Sequence, residues 1–173
     1  TDQLPDYDLY VALREAFRGG NTHANRFYVG QILENVQSVD RSSSYPDVLV
    51  NHKYPVSYFH HWGPCSMERF YIQKDKHKRA CLIRIALFNV QLKNYWEGCP
   101  YLSKDKCRMI HGAIFDNGRI LYAQYLETTI TDIDYNIISD MYEWENPCIF
   151  DSWYARYGDL PVQFTSVIKD MYR

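Results

Sequence analysis

The stretch Arg108-Met109-Ile110-His111-Gly112-Ala113-Ile114-Phe115-Asp116-Asn117-Gly118-Arg119-Ile120-Leu121-Tyr122-Ala123-Gln124-Tyr125-Leu126-Glu127 sets the fold class. Its centre is a turn signal, because Asn and Gly both tolerate positive φ, and the β-forming runs at 108–115 and 119–127 flank it as the arms of a hairpin. Downstream, Ile133, Ile137, Ile138 and Met141 share one face of a helix over 132–142. Residues 147–155 read as extended. Pro161 opens a last helix in which Phe164, Val167, Ile168 and Met171 fall at i, i+3, i+4 and i+7.

Upstream, 81–92 is an apolar strand preceded by the basic cluster Lys74-Asp75-Lys76-His77-Lys78-Arg79, read as a solvated loop or a phosphate contact. Residues 54–64 are rich in Pro, Gly, His and aromatics and mark a boundary between two parts, 1–60 and 61–173. At the N-terminal end, Leu9, Leu13 and Ala16 or Phe17 predict a helix over 6–18 with an acidic start, closed by Gly19 and Gly20. Residues 22–29 and 31–39, around Gly30, predict a second hairpin that delivers Asp40, and Pro46 sits near the start of a short helix carrying Val48, Leu49 and Val50. No internal repeat is visible. The class is α+β with mainly antiparallel strands and short amphipathic helices.

The 173 residues are 46% hydrophobic and 23% charged, as expected of a folding chain and not of a disordered or low-complexity one. Nineteen basic against 21 acidic side chains leave a net charge of −2, so any nucleic-acid contact must be local. No apolar run is long enough to span a membrane and no signal peptide is legible, so a cytoplasmic location and no membrane partner are expected. The 16 tyrosines suggest many half-buried rings with a polar tip near water or a ligand. Five cysteines at irregular spacing do not make a disulfide framework. Cys99, Cys107 and His111 lie close together but lack a Cys-x-x-Cys pair and a fourth ligand, so no zinc is expected. The chain opens at Thr1 with no Met and stops directly after a helical pattern, which reads as a piece of a longer protein.

The chemistry is carried by Asp40-Arg41-Ser42-Ser43-Ser44-Tyr45-Pro46. An Asp after a β-like run, followed by a Ser-rich turn and a Pro-started helix, offers a carboxylate to a divalent cation and free N–H groups to an anion. The pattern alone is common, since Asp-x-Ser runs often only cap helices. It resembles, however, the first catalytic motif of family B DNA polymerases, Asp-x-x-Ser-Leu-Tyr-Pro, matching at Asp40, Ser43, Tyr45 and Pro46 and departing at Ser44. Phe17-Arg18-Gly19-Gly20 resembles the Tyr-x-Gly-Gly motif of the phage members, in the right order, with Gly20 and Asp40 separated by 20 positions. The segment from Cys81 to Tyr172, through Leu82-Ile83-Arg84-Ile85 and the Asn117-Gly118 hairpin, is similar in layout to the first terminal-protein region of protein-primed phage polymerases. The match is strong over 14–55 and looser beyond.

The resemblance implies roles by position. Asp40, with the backbone carbonyl of Arg41, would hold catalytic Mg²⁺ or Mn²⁺ for two-metal phosphoryl transfer. Backbone N–H groups of residues 42–45 would meet the triphosphate of an incoming dNTP. Tyr45 would lie under the sugar and exclude a 2′-hydroxyl. Arg18, Gly19 and Gly20 would approach the template strand of primer-template DNA, and Phe17, standing where the motif has Tyr, would lack its hydroxyl.

A second metal-binding carboxylate in a Tyr-x-Asp-Thr-Asp hairpin and a fingers Lys near an Asn-Ser-x-Tyr-Gly motif do not occur. Thr131-Asp132-Ile133-Asp134-Tyr135 superficially resembles the hairpin, but its spacing is that of a capping box at a helix start. The chain therefore reads as a fragment of a phage or prophage polymerase, half a palm plus an inserted subdomain, inactive alone. The alternative is an autonomous module that binds DNA or a priming (terminal) protein, with Asp40 capping a helix. A truncated palm is also expected to leave apolar surface uncovered and to self-associate.

Overall fold

A computed structural model describes residues 6–172. Its strands are β1 (Tyr54–Pro55), β2 (His60–His61), β3 (Arg79–Leu92), β4 (Cys107–Asp116), β5 (Arg119–Thr131) and β6 (Tyr142–Gly158). The helices among the described residues are α1 (Tyr7–Ala16), α2 (Ser44–Asn51), α3 (Met67–Tyr71), α4 (Asp132–Met141) and α5 (Val162–Met171). All strand pairs are antiparallel, in the order β1-β6-β3-β5-β4, with β2 also on β6. This is the α+β, mainly antiparallel class expected from the sequence.

The hairpin turn forms as its chemistry requires. Asn117 has φ 44° and Gly118 φ 78°, and the pairing runs from Asp116↔Arg119 to Cys107↔Thr128. Alternation along a strand sends successive side chains to opposite faces, and β3, hydrogen-bonded on both edges, has both faces covered. On one face Ile83, Ile85 and Leu87 join Leu126 and Ile130 of β5 against Phe70 of α3 and Tyr135 and Ile138 of α4. On the other, Leu82 and Trp153 lie beneath Leu9, Ala12 and Ala16 of α1. This double burial is why residues 81–87 read as an almost unbroken apolar run.

Helix starts follow local rules. The Asp6 carboxylate accepts from Leu9 N–H at 2.7 Å and starts α1. At α4, Asp134 N–H donates to Thr131 Oγ1 at 3.2 Å and Thr131 N–H donates to Asp134 Oδ2 at 2.9 Å. That reciprocal capping box makes the Thr131–Tyr135 stretch a helix start, as its spacing predicted, and not a catalytic hairpin. The extended segment foreseen at 147–155 is the middle of the longer β6. Pro147 costs the sheet no bond there, because the ladder to β3 steps from Ala86↔Cys148 to Phe88↔Glu145 across it.

Three expectations need correction. Residues 22–39 are not a hairpin: they hold one 3₁₀ turn at Arg26–Tyr28 and are otherwise irregular, with Ile32 95% and Val39 90% exposed. A β-forming composition yields a strand only where a neighbouring strand supplies ladder hydrogen bonds, and among the described residues none lies beside this segment. The basic cluster is a loop only at His77 and Lys78, since Lys74–Lys76 belong to the π-helical turn Ile72–Lys76 that continues α3 and Arg79 opens β3. Lys74 Nζ is held there by Asp75 at 2.6 Å and Asn136 at 3.0 Å, so its charge is spent within the chain. Helix α1 ends at Ala16 with Phe17 as its C-cap, short of the expected 18.

No helix among the described residues is long and apolar enough to cross a membrane. Because Gly118 occupies the left-handed region, Gly118→Val is expected to lower the unfolding free energy by about 1–2 kcal/mol. Urea denaturation followed by circular dichroism measures it.

Candidate functional site

Asp40 lies in the exposed, irregular segment before α2 and makes no cap for that helix. The N-cap is Ser43, left-handed at φ 55° and ψ 31°, and its side chain makes no capping bond. The helix-capping role that the alternative gave to Asp40 is therefore not what the structure contains. Ser44 and Tyr45 open α2, and their N–H groups belong to the first turn, which has no intrahelical acceptor. The left-handed Ser43 followed by helical Ser44 turns successive N–H groups toward one side, the geometry of an anion nest. Tyr45 is 84% exposed, so its ring is not a core side chain. Arg41 and Asn51 both bind the Asp47 carboxylate, which braces the turn across the first turns of α2. Ser42 is exposed.

The second cluster gathers at the end of α1. Its position is set from below by Glu15, whose Oε2 accepts from Arg84 Nε at 3.0 Å and from Thr129 Oγ1 at 2.7 Å. Arg84 also reaches Asp151 at 3.3 Å and lies over the Trp153 ring, while Asp151 in turn holds His61 at 2.6 Å. Beyond the helix, the Arg18 guanidinium lies over the Tyr101 ring, 5.3 Å from its centroid, with Nε 3.5 Å from Asp134 Oδ1. Tyr101 donates its hydroxyl to the same Asp134 carboxylate, and burial with that bond pushes its pKa up to about 12. It is thus a neutral donor at any working pH. Arg18 Nε and Nη2 are buried and have no hydrogen-bond partner among the described residues.

Gly19 and Gly20 follow Arg18 at the rim of a cleft of about 200 Å³ shared with Asn21, Tyr101, Lys106 and Arg119. Neither glycine has a positive φ, and a Cβ built on either would meet nothing within 4 Å. The chain itself gives no steric reason for glycine at these positions. The loop after them is tied to the hairpin by His23 Nε2 to Asp116 at 3.0 Å and Arg119 to the Thr22 carbonyl at 3.4 Å, and to the connection after β3 by Arg26 to the Tyr95 carbonyl at 2.7 Å.

Sequence reasoning selected Arg18, Gly19 and Gly20 but missed their supports, Glu15, Arg84, Tyr101 and Asp134. Asp134 was visible only as a capping residue, and Arg84 only as a polar interruption in an apolar strand. Phe17 is 71% exposed and borders a separate apolar pocket with Leu13, Phe59 and Tyr157. Asp132, at the floor of that pocket, accepts from Cys81 N–H at 2.8 Å and Tyr157 Oη at 2.9 Å, and burial raises its pKa despite those bonds.

For a divalent metal, Asp40 and the Arg41 carbonyl are hard oxygen donors of the right chemistry. No group of three or more His, Cys, Asp or Glu side chains among the described residues is arranged around a common point. The Cys107 thiol is pushed up to about 12 by burial, which opposes the thiolate that a soft metal would need.

No protein-family model matches the chain, and no curated protein matches it by sequence. Solved structures do. The fold is similar to that of Phi29 DNA polymerase complexed with primer-template DNA and incoming nucleotide substrates, with a TM-score of 0.70 and 15% identity over 96% of this chain and 27% of that one. The post-translocation binary complex of the same polymerase with primer-template DNA gives 0.68 at 15% identity, covering 94% and 26% of the two chains. Its orthorhombic crystal form gives 0.65 at 13%, covering 95% and 27%. The chain thus spans little more than a quarter of the polymerase it resembles, and the likeness is one of fold.

With open space around both glycines, Gly19→Ala and Gly20→Ala are expected to leave the unfolding free energy unchanged or to raise it by about 0.4–1 kcal/mol, by narrowing the unfolded ensemble. Urea titration of each variant checks this.

Proposed function

We propose that this chain is a segment of a phage-type, family B DNA-directed DNA polymerase, a nucleotidyltransferase of DNA replication that works in the cytoplasm of a bacterial host. The observation that carries it is the fold likeness to a DNA polymerase over 96% of the chain, found in a chain that also carries the Asp40–Pro46 pattern. Residues 1–60 would be the N-terminal part of the palm, and 61–173 an inserted subdomain like the first terminal-protein region, with a priming protein as its partner.

In this proposal Asp40 supplies one of the carboxylates that hold Mg²⁺ or Mn²⁺, and a further segment of polymerase chain supplies the other. The bound ions would neutralise charge on the transferred phosphoryl group. The first-turn N–H groups of Ser44 and Tyr45, with Arg41 near them, suit the triphosphate of a dNTP. The outward-facing Tyr45 ring suits a place beneath the sugar. Arg18, with two nitrogens that make no hydrogen bond, and the two unobstructed glycines suit a close approach of template backbone, where charge and bare main chain are both needed. Lacking a second carboxylate cluster, the chain alone is proposed to extend no primer.

Self-association of the isolated chain belongs to the same proposal. Phe164, Val167 and Met171 of α5 are 49%, 58% and 75% exposed, the very face that its helical period marks as apolar. A dimer is expected in light scattering at high concentration, and a clean monomer counts against it.

The decisive experiment is Asp40→Asn in the complete polymerase. Template-directed incorporation is expected to fall to background while primer-template affinity stays within about twofold, the signature of a group acting only in the chemical step. Retained synthesis favours the autonomous binding module instead.

A further inference from the structure

The small cleft at Gly19 and Gly20 does not end there. Asp105 and Lys106 of the 3₁₀ turn Lys104–Lys106 also line a second, larger cleft of about 490 Å³, which runs between the outer side of α1 and the start of edge strand β4. The two clefts share these residues and form one trough along α1. Arg18, Lys106 and Arg119 stand at its inner end, and Arg14 and Arg108 at its outer end. Its carboxylates are Asp105 and Glu15, and Glu15 is already engaged by Arg84 and Thr129. Five cations thus face two carboxylates in a chain whose net charge is −2.

The trough also has an aromatic end. Tyr7 and Tyr10, three positions apart, are on one side of α1 and remain 79% and 48% exposed. The Tyr10 hydroxyl accepts from Arg14 Nη1 at 3.3 Å, which fixes the ring and leaves part of it open. Helical rise places Tyr7 about 10 Å from Arg14 along the axis, so cations and rings are spaced along a path, not gathered at a point. A basic groove that follows a backbone, ended by exposed rings, is the arrangement that binds single-stranded nucleic acid without reading its sequence.

We infer that this trough binds one unpaired strand of nucleic acid, its phosphates on Arg18, Lys106 and Arg108 and a base against Tyr7 and Tyr10. The inference rests on the template-strand role proposed for Arg18 and the two glycines, and extends that contact along α1 to residues with no part in the Gly-Gly pattern. Arg18 Nε and Nη2 mark the inner end: both are buried without a hydrogen bond, although Nε lies 3.5 Å from the Asp134 carboxylate, and unsatisfied guanidinium N–H groups are costly.

The test is fluorescence anisotropy of a labelled 12-nucleotide oligo-dT with the 173-residue chain, across a salt series, with circular dichroism on every variant to confirm folding. Lys106→Ala/Arg108→Ala is expected to weaken binding about tenfold and to flatten the log-log salt slope by about 0.7 for each phosphate that is no longer neutralised. Tyr7→Ala and Tyr10→Ala are each expected to weaken it at least about fivefold with little change in slope, as loss of stacking does. Asp40→Asn should leave binding unchanged, which separates this surface from the nucleotide site. Loss with Arg18→Ala but not with the Lys106/Arg108 double variant overturns the extension and leaves the Gly-Gly role standing. Loss with the double variant but not with Arg18→Ala supports the outer trough and overturns the Gly-Gly role. No binding of oligo-dT, or equal binding of polyglutamate with no effect of the Tyr variants, overturns the inference; the latter result assigns the surface to an acidic protein.

Discussion

The placement of α1 and of the cluster at its end depends on one guanidinium. Arg84 sits on the central strand in a layer otherwise made of Leu82, Trp153 and the small residues of α1, and its side chain is 13% exposed. A cation at that depth is tolerable only when paired, and its partners come from two different elements, Glu15 of α1 and Asp151 of β6. Thr129 of β5 shares the Glu15 oxygen. The helix is therefore keyed to β3 and β5 by directional bonds, and through Arg84 to β6, while Ala12 and Ala16 let it lie close to the sheet. Replacing the network by apolar contacts could hold the helix as tightly, but greasy surfaces alone do not specify its rotation or its axial position. The position of Arg18, Gly19 and Gly20 just beyond the helix follows from that key.

From that point the chain is guided by a second set of polar ties. Arg18 leans on Tyr101 and Asp134, so the α4 capping carboxylate serves both its own helix and the end of α1. His23 and Thr22 reach the tip of the Asn117-Gly118 hairpin, through Asp116 and Arg119. Gly98 packs so closely on Asn25 that a Cβ there would lie 2.2 Å from its Nδ2. The irregular segment that follows the glycines is thus seated on the sheet through side chains at its start, although it forms no strand of its own. By contrast, residues 29–42 carry exposed Ile32, Val36 and Val39.

What could be read in advance was governed by interactions between residues near one another in the chain. The turn at Asn117-Gly118 depends on the φ of two residues, the capping box on Thr131 and Asp134, and the start of α1 on Asp6 and Leu9. Each is complete within four positions, so each was legible. The Asp40–Pro46 pattern was legible as an ordered set of residue types, and the structure added that Ser43, not Asp40, caps α2 and that Tyr45 points into solvent. The failures have the opposite character. A strand at 31–39 requires a partner from elsewhere in the fold. The π-helical turn at Ile72–Lys76 brings Lys74 to Asn136, 62 positions away, and no local pattern reports that.

The amino-acid order therefore determined the class, the starts of α1, α4 and α5, the principal hairpin and the location of a catalytic-motif pattern, because these rest on backbone preferences and short-range side-chain bonds. It did not determine which cations would meet. Arg14 on α1, Arg18 just beyond it, and Lys106, Arg108 and Arg119 on other elements are scattered through a nearly neutral chain, and only antiparallel pairing of β4 with β5 beneath α1 brings them along one trough. Electrostatic character is a property of surfaces, and a surface exists only once distant segments have packed.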